Sequence, residues 1–89
     1  MDNNDLKKIY DNPLYIRYIS DPSEELSLEA VRRNGLAIRY VKNPSKEIKE
    51  AAIKNNPLSV EYMDNIDEEN AILAVKLLWN LIILVRELS

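Results

Sequence analysis

The chain has 89 residues, of which 46% are hydrophobic and 30% are charged, and its formal net charge is −3. This size and balance predict a single folded domain over residues 1–89 and exclude a disordered chain. The absence of cysteine and histidine excludes disulfides, thiolate or imidazole catalysis and the usual zinc ligands. We therefore expect no enzymatic activity, no cofactor and no metal.

The first residues, Met1 to Asp5, are polar and acidic, unlike a signal or transit peptide. Together with the absence of cysteine, this start predicts a cytoplasmic protein. The longest uninterrupted apolar run, Leu81 to Val85, is far shorter than the roughly 20 residues that a membrane span requires, so no membrane association is expected. The negative net charge disfavours non-specific attraction to nucleic acid or anionic lipid.

A period of 22 residues runs through the chain. Asn-Pro-Leu or Asn-Gly-Leu begins at Asn12, Asn34 and Asn56. Turn residues, alanines and tyrosines recur at the same spacing, which is typical of stacked helical repeats. The recurring side chains are Ala30, Ala52 and Ala74, and Tyr18, Tyr40 and Tyr62. The sequence predicts an all-α tandem-repeat array of helix-turn-helix units at about 1–20, 21–42 and 43–64, closed by one long C-terminal capping helix within 65–89.

Each unit is expected to contain a long helix followed by a short one. Asp21 and Asn43 are predicted N-caps of the long helices, with Pro22 and Pro44 at the first helical position. Glu24 stands where a capping-box acid belongs. The apolar faces of the two long helices should consist of Leu26, Ala30 and Val31 in one unit and Ile48, Ala52 and Ile53 in the next.

The long helices are expected to end at Asn34-Gly35 and Asn56-Pro57, because glycine suits a helix terminus and proline cannot continue a helix. Short helices should follow, from Leu36 to Val41 and from Leu58 to Met63. The alanines would allow adjacent long helices to approach closely.

The last unit has Leu78-Trp79 where the others have asparagine followed by proline or glycine, so one helix is predicted from about Asp67 to Glu87. Helical geometry then predicts a core stripe made of Ala74, Val75, Leu78, Leu81, Ile82 and Val85. Ile72, Trp79 and Ile83 fall far from that stripe and are expected to be exposed. An exposed tryptophan between two isoleucines indicates an interface with a protein partner, or a homodimer through this helix. Alternatively, the short N-terminal segment, or the preceding short helix with Val60 and Met63, could cover Trp79.

Basic residues suggest a second use of the array. They form a ladder that could follow a phosphate backbone. Its members are Arg17, Arg32, Arg39, Lys54 and Lys76. Glu25, Glu47 and Glu69 form an equally regular acidic ladder, so two solvated faces explain both patterns better.

The three repeated tyrosines could stack bases, but each stands four residues after a leucine, which predicts burial with the hydroxyl at the rim. The acidic clusters Glu24-Glu25 and Asp67-Glu68-Glu69 lie in the first turns of predicted helices, where acids favour the helix dipole, and we assign no metal to them.

Residues 29–41 read EAVRRNGLAIRYV and are followed by Asn43-Pro44-Ser45. This segment resembles the tandem repeats of the domain of unknown function 4116, and the resemblance extends over about residues 12 to 66. Related repeats occur in viral, phage and bacterial proteins, and the family has no agreed activity. The resemblance implies a phage or viral protein that acts in the host cytoplasm by binding and blocking a host component, such as a defence complex.

Three classes of function are compatible with the sequence. The leading one is a non-enzymatic protein-interaction module that uses Ile72, Trp79 and Ile83. The second is a nucleic-acid-binding repeat that uses the basic ladder. The third, a hydrolase using Asp and Glu alone, needs two converging carboxylates in a deep pocket, and no motif supports it.

Overall fold

A computed structural model describes residues 3 to 88, in which four α-helices alternate with three 3₁₀ helices. The α-helices are α1 (Asn3–Asp11), α2 (Glu24–Arg33), α3 (Lys46–Asn55) and α4 (Glu68–Leu88). The 3₁₀ helices are η1 (Pro13–Tyr18), η2 (Gly35–Tyr40) and η3 (Pro57–Tyr62). The predicted all-α class and the long C-terminal helix are confirmed.

The helices form two layers. Each α-helix packs against the next one, and each 3₁₀ helix packs against the next 3₁₀ helix. Successive elements start 22 residues apart, at positions 24, 46 and 68 for α2 to α4 and at positions 13, 35 and 57 for η1 to η3. The result is a flat, elongated body of 45 × 27 × 15 Å.

Serines cap the long helices of the array. The hydroxyl of Ser23 accepts a hydrogen bond from the backbone N–H of Leu26 at 3.1 Å, and Ser45 does the same for Ile48 at 3.2 Å. The prediction that Asp21 and Asn43 are the N-caps is therefore wrong. A serine hydroxyl satisfies a backbone donor that the first helical turn leaves without an intrahelical partner.

Asp21 and Asn43 have a different structural role. Their φ angles are 52° and 50°, in the left-handed region that aspartate and asparagine tolerate better than most residues. They turn the chain two residues ahead of each cap, so Pro22 and Pro44 precede the helices instead of opening them. Glu24 becomes the first residue of α2 and is not a capping-box acid.

Each asparagine of the repeated triplets acts on two helices. Asn34 donates its backbone N–H to the carbonyl of Ala30 at 2.9 Å and thereby ends α2. Its side-chain oxygen accepts the N–H of Leu36 at 3.0 Å and so begins η2. The short helices start one residue earlier than predicted and are 3₁₀ helices, because this asparagine is the boundary of both elements.

Gly35 marks the closest approach between units. A Cβ atom at this position would lie 2.4 Å from the carbonyl oxygen of Ala52, so no larger residue fits without moving α3. The N–H of Gly35 donates to the side chain of Asn55 at 2.7 Å, and Asn55 donates in turn to the carbonyl of Arg32 at 3.0 Å. These bonds attach the end of α3 to the junction between α2 and η2.

The core runs along the boundary between the two layers. The three repeated alanines, Ala30, Ala52 and Ala74, are buried, as predicted. The other apolar side chains predicted for α2 and α3 are also buried, namely Leu26, Val31, Ile48 and Ile53. Ile9, Ile16, Ala37 and Ile38 complete the core. Packing of α2 and α3 is thus complete on both sides, which is not the case for α4.

Candidate interaction surface

Helix α4 attaches to the array by one face of its first three turns. Asn70 and Ala74 are buried there, and Leu73, Leu77 and Leu78 are half-buried. From position 79 to position 88 every side chain is exposed. We call residues 79–88 the distal half of α4.

The distal half is exposed because α4 is longer than its support. Helix α3 has 10 residues and α4 has 21, which correspond to roughly 15 Å and 31 Å of helix. The predicted core stripe is therefore wrong at four positions beyond or beside the contact: Val75, Leu81, Ile82 and Val85 are exposed to 65%, 46%, 51% and 63%. Helical periodicity predicted which face of α4 points to the core, but not the point at which the neighbouring helix ends.

Nine large apolar side chains of α4 are exposed. They are Ile72, Val75, Trp79, Leu81, Ile82, Ile83, Leu84, Val85 and Leu88. About half of each is accessible, on the order of 800 Å² in total over both sides of α4, where one partner of a standard interface contributes about 800 Å².

Ile72, Trp79 and Ile83 are all among these exposed residues, with Trp79 57% accessible. The alternatives in which η3 or the N-terminal segment covers the tryptophan are wrong, since Trp79 remains exposed. The exposure predicted for the three side chains is confirmed, and their contact with a partner stays a prediction.

The exposed face of α4 is the last one in the part of the array that the structure describes. Val31 and Ile53, one period apart, are completely buried, whereas the next residue in that series, Val75, is 65% exposed. Helices α2 and α3, which carry Val31 and Ile53, are each followed by another packed helix. Among the described residues no further unit follows α4, so the equivalent surface is open.

Polar contacts fix the start of α4. Asn70 is buried but polar. Its side chain donates hydrogen bonds to the carbonyl of Lys46 at 3.2 Å and to the carboxylate of Asp67 at 2.9 Å. Lys46 also pairs with Glu69 at 2.7 Å, and this hydrogen bond raises the pKa of Lys46. Burial raises the pKa of Asp67, but hydrogen bonds from the backbone and side chain of Asn70 outweigh it and lower that pKa below its ordinary value.

Sequence reasoning missed Asn70. It stands one period after Ile48 and two periods after Leu26, so an asparagine at an apolar core position was the available signal. A buried amide requires hydrogen-bond partners, and here they are a backbone carbonyl of α3 and the cap of its own helix.

The other notable surface feature lies on the 3₁₀ helices, where arginines and tyrosines alternate. The guanidinium of Arg17 hydrogen-bonds the hydroxyl groups of Tyr40 and Tyr18, which raises the pKa of Arg17. That of Arg39 lies 5.2 Å from the ring centre of Tyr40 and 5.0 Å from that of Tyr62. We call these five residues the Arg–Tyr row.

The predicted burial of the tyrosines is wrong for two of the three. Tyr18 is 64% exposed and Tyr62 is 39% exposed, while Tyr40 is half-buried against the core. The rings lie along the outside of the 3₁₀ layer, where each stacks with an arginine.

The members of the basic ladder belong to both layers, and binding of a phosphate backbone along them stays a prediction. Arg32 pairs with Glu29 at 3.3 Å and Lys54 pairs with Glu50 at 3.0 Å, each within its own helix. The three remaining members belong to other groups: Arg17 and Arg39 to the Arg–Tyr row, and Lys76 to α4.

Within residues 3 to 88, no group of three or more aspartates, glutamates, histidines or cysteines is arranged to hold a metal ion. None of the helices in that range is long and apolar enough to cross a membrane. The acidic clusters lie in the first turns of α2 and α4.

The fold and this surface define an all-α array of short helical units with an exposed apolar terminal helix. The chain matches no protein-family model, no curated protein and no solved structure. The resemblance to the domain of unknown function 4116 stays a prediction.

Proposed function

We propose that this protein is a non-enzymatic protein-binding module and that α4 is its contact element. The observation that carries the proposal is the exposure of nine large apolar side chains on one helix. Apolar surface of this extent is unfavourably hydrated in water, and association with another protein covers part of it.

The composition of the patch favours a protein partner. Tryptophan is enriched among the residues that dominate protein–protein binding energy, and Trp79 lies near the middle of α4. An apolar helix that protrudes from a rigid body suits insertion into a groove of another protein. The blocking of a host complex by a phage or viral protein is one role for such a module, and only the family resemblance supports it.

The test is affinity capture with matched variants of the tagged protein. We expect the wild type to retain a defined protein that resists a high-salt wash, because an apolar contact is insensitive to screening. Leu81→Asp/Val85→Asp should lose that protein, since both changes put charge on the distal half of α4.

Tyr18→Asp is the matched control, because Tyr18 is equally exposed but lies on η1, away from α4. It should retain the same protein. Equal capture by the α4 double variant, or recovery of nuclease-sensitive material released by salt, would contradict the proposal. Circular dichroism of each variant checks that it remains helical.

The alternation of arginine and tyrosine favours a second candidate function, the binding of single-stranded nucleic acid along the Arg–Tyr row. Aromatic rings and guanidinium planes are the groups on which unpaired bases stack. This candidate ranks lower because Glu61 takes the place of Arg17 and Arg39 in the third unit and the net charge is −3.

A fluorescently labelled oligonucleotide separates the candidates. Nucleic-acid binding predicts a change in anisotropy that falls steeply with salt and is lost in Arg17→Ala/Arg39→Ala. The protein-binding proposal predicts no change in anisotropy at physiological salt.

A further inference from the structure

The outward side of α4 carries a second pattern. Glu68, Ile72, Val75, Trp79, Ile82 and Arg86 follow one another at intervals of 4, 3, 4, 3 and 4 residues, and all six are exposed. This alternation is the heptad spacing at which two α-helices pack side by side. We call these six residues the outer seam.

The outer seam is complementary to itself when two copies run in opposite directions. An axis near position 77 pairs Ile72 with Ile82 of the second copy and Val75 with Trp79 of the second copy. The same arrangement brings Glu68 at one end of the seam next to Arg86 of the second copy, and it does so twice.

A parallel arrangement would instead place like charges together at both ends, Glu68 beside Glu68 and Arg86 beside Arg86. It would also align the two helix dipoles, whereas the antiparallel pair opposes them. Charge complementarity therefore selects the antiparallel orientation.

From this self-complementarity we propose that a second copy of this chain occupies the outer seam, forming a two-fold antiparallel α4–α4 dimer. This inference rests on the proposed function, because it names the partner for one side of the apolar helix. Leu81, Leu84 and Leu88 lie on the opposite side of the distal half, so they remain available to another protein. Near the two-fold axis, Lys76 lies close to Lys76 of the second copy, and the repulsion between these like charges is unfavourable.

Solution mass by light scattering is the first test. The wild type should have twice the 10.3 kDa mass of one chain. Trp79→Asp should be monomeric and should retain the helices that pack in the core, since Trp79 contributes to the seam and not to the core. A monomeric wild type would overturn the proposal.

Charge exchange tests the ends of the seam. Glu68→Arg and Arg86→Glu should each weaken dimerisation about tenfold, because attraction becomes repulsion at both ends. The double variant Glu68→Arg/Arg86→Glu should restore it. Glu24→Arg, the equivalent change at the start of α2, is the control and should leave the dimer unaffected.

Engineered thiols test the orientation, since the natural chain has no cysteine. Ile72→Cys and Ile82→Cys should each remain uncross-linked alone and form a mixed disulfide when combined and oxidised. A disulfide between two Ile72→Cys chains would indicate a parallel pair and overturn the proposal. If the dimer is absent while Leu81→Asp/Val85→Asp still loses its captured protein, the second-copy inference fails and the proposed function stands.

Discussion

The centre of the array and the distal half of α4 contain the same kinds of residue in opposite environments. Ile53 in α3 is completely buried, and Val75, one period later, is 65% exposed. Within residues 3 to 88, α3 packs between α2 and α4, whereas α4 packs on α3 and η3 and has no helix on its other side. Burial in this molecule is therefore decided by the presence of a following unit and not by the hydrophobicity of the residue.

One chain can therefore combine a well-packed interior with an exposed apolar helix at one end of the described array. Contacts between neighbouring units stabilise a helical array, so its interior is protected and its terminal faces are not. A terminal helix is commonly polar on its outer side, but α4 is apolar there. An apolar terminal face is suited to binding and would be a liability in a helix without a partner.

Amide hydrogen exchange should show the largest contrast between the two regions. In monomeric Trp79→Asp, amides at positions 80–88 should exchange at least about a thousandfold faster than those of Ala52 and Ile53, because an isolated stretch of about ten helical residues is marginal in water. The wild-type dimer should protect the same amides. Equal protection of the distal half and α3 in the monomer would show that the distal half is stabilised within one chain.

Truncation of equivalent residues should give the next largest contrast. Ile53→Ala should lower the free energy of unfolding by about 2–5 kcal/mol, because it leaves a cavity in a packed core. Val75→Ala should change it by less than about 0.5 kcal/mol, since that side chain is exposed. Urea unfolding measures both, in the Trp79→Asp background so that dimerisation does not contribute. Similar losses for the two would invalidate the distinction between the regions.

The smallest effect concerns Asp67, which caps the start of α4. The pKa of Asp67 is lowered in the folded protein, so its contribution to stability is present above its ordinary pKa, about 3.9. That contribution is lost as the pH falls through the lower folded value. Wild type should therefore lose more stability between pH 7 and pH 3 than Asp67→Ser does.

Asp67→Ser is the matched control because Ser23 and Ser45 cap α2 and α3 without a titrating group. Urea unfolding at the two pH values gives the comparison. An equal loss of stability in wild type and Asp67→Ser would show that the carboxylate of Asp67 does not couple folding to pH.

Much of the fold could be predicted from residues that act locally. Asn34 and Asn56 lie at the ends of helices because their side chains accept backbone N–H groups two residues later. Ala30 and Ala52 are buried because a small side chain at a repeated helical position allows close packing. The absence of a breaker at Leu78-Trp79 correctly predicted one continuous helix.

The N-caps, the tyrosine positions and the exposure of α4 could not all be predicted, because more than one arrangement fits the local sequence. Asp21 and Ser23 are both good N-cap residues. Ser23 is the cap because Asp21 adopts the left-handed conformation two residues before it. Tyr18 and Tyr62 each stand four residues after a leucine, which predicted burial. They lie outside the core, where arginines stack on them. The exposure of Trp79 was predictable from its distance to the alanine stripe, whereas the exposure of Val85 was not.

By itself the sequence determined the helices, their 22-residue spacing and the buried alanine positions, because caps, breakers and helical periodicity act over a few residues. Tertiary structure alone decided which apolar residues are covered. Coverage depends on the length and position of the neighbouring element: α3 ends after 10 residues while α4 continues for 21. That difference in length leaves the distal half of α4 exposed and makes it the candidate binding element.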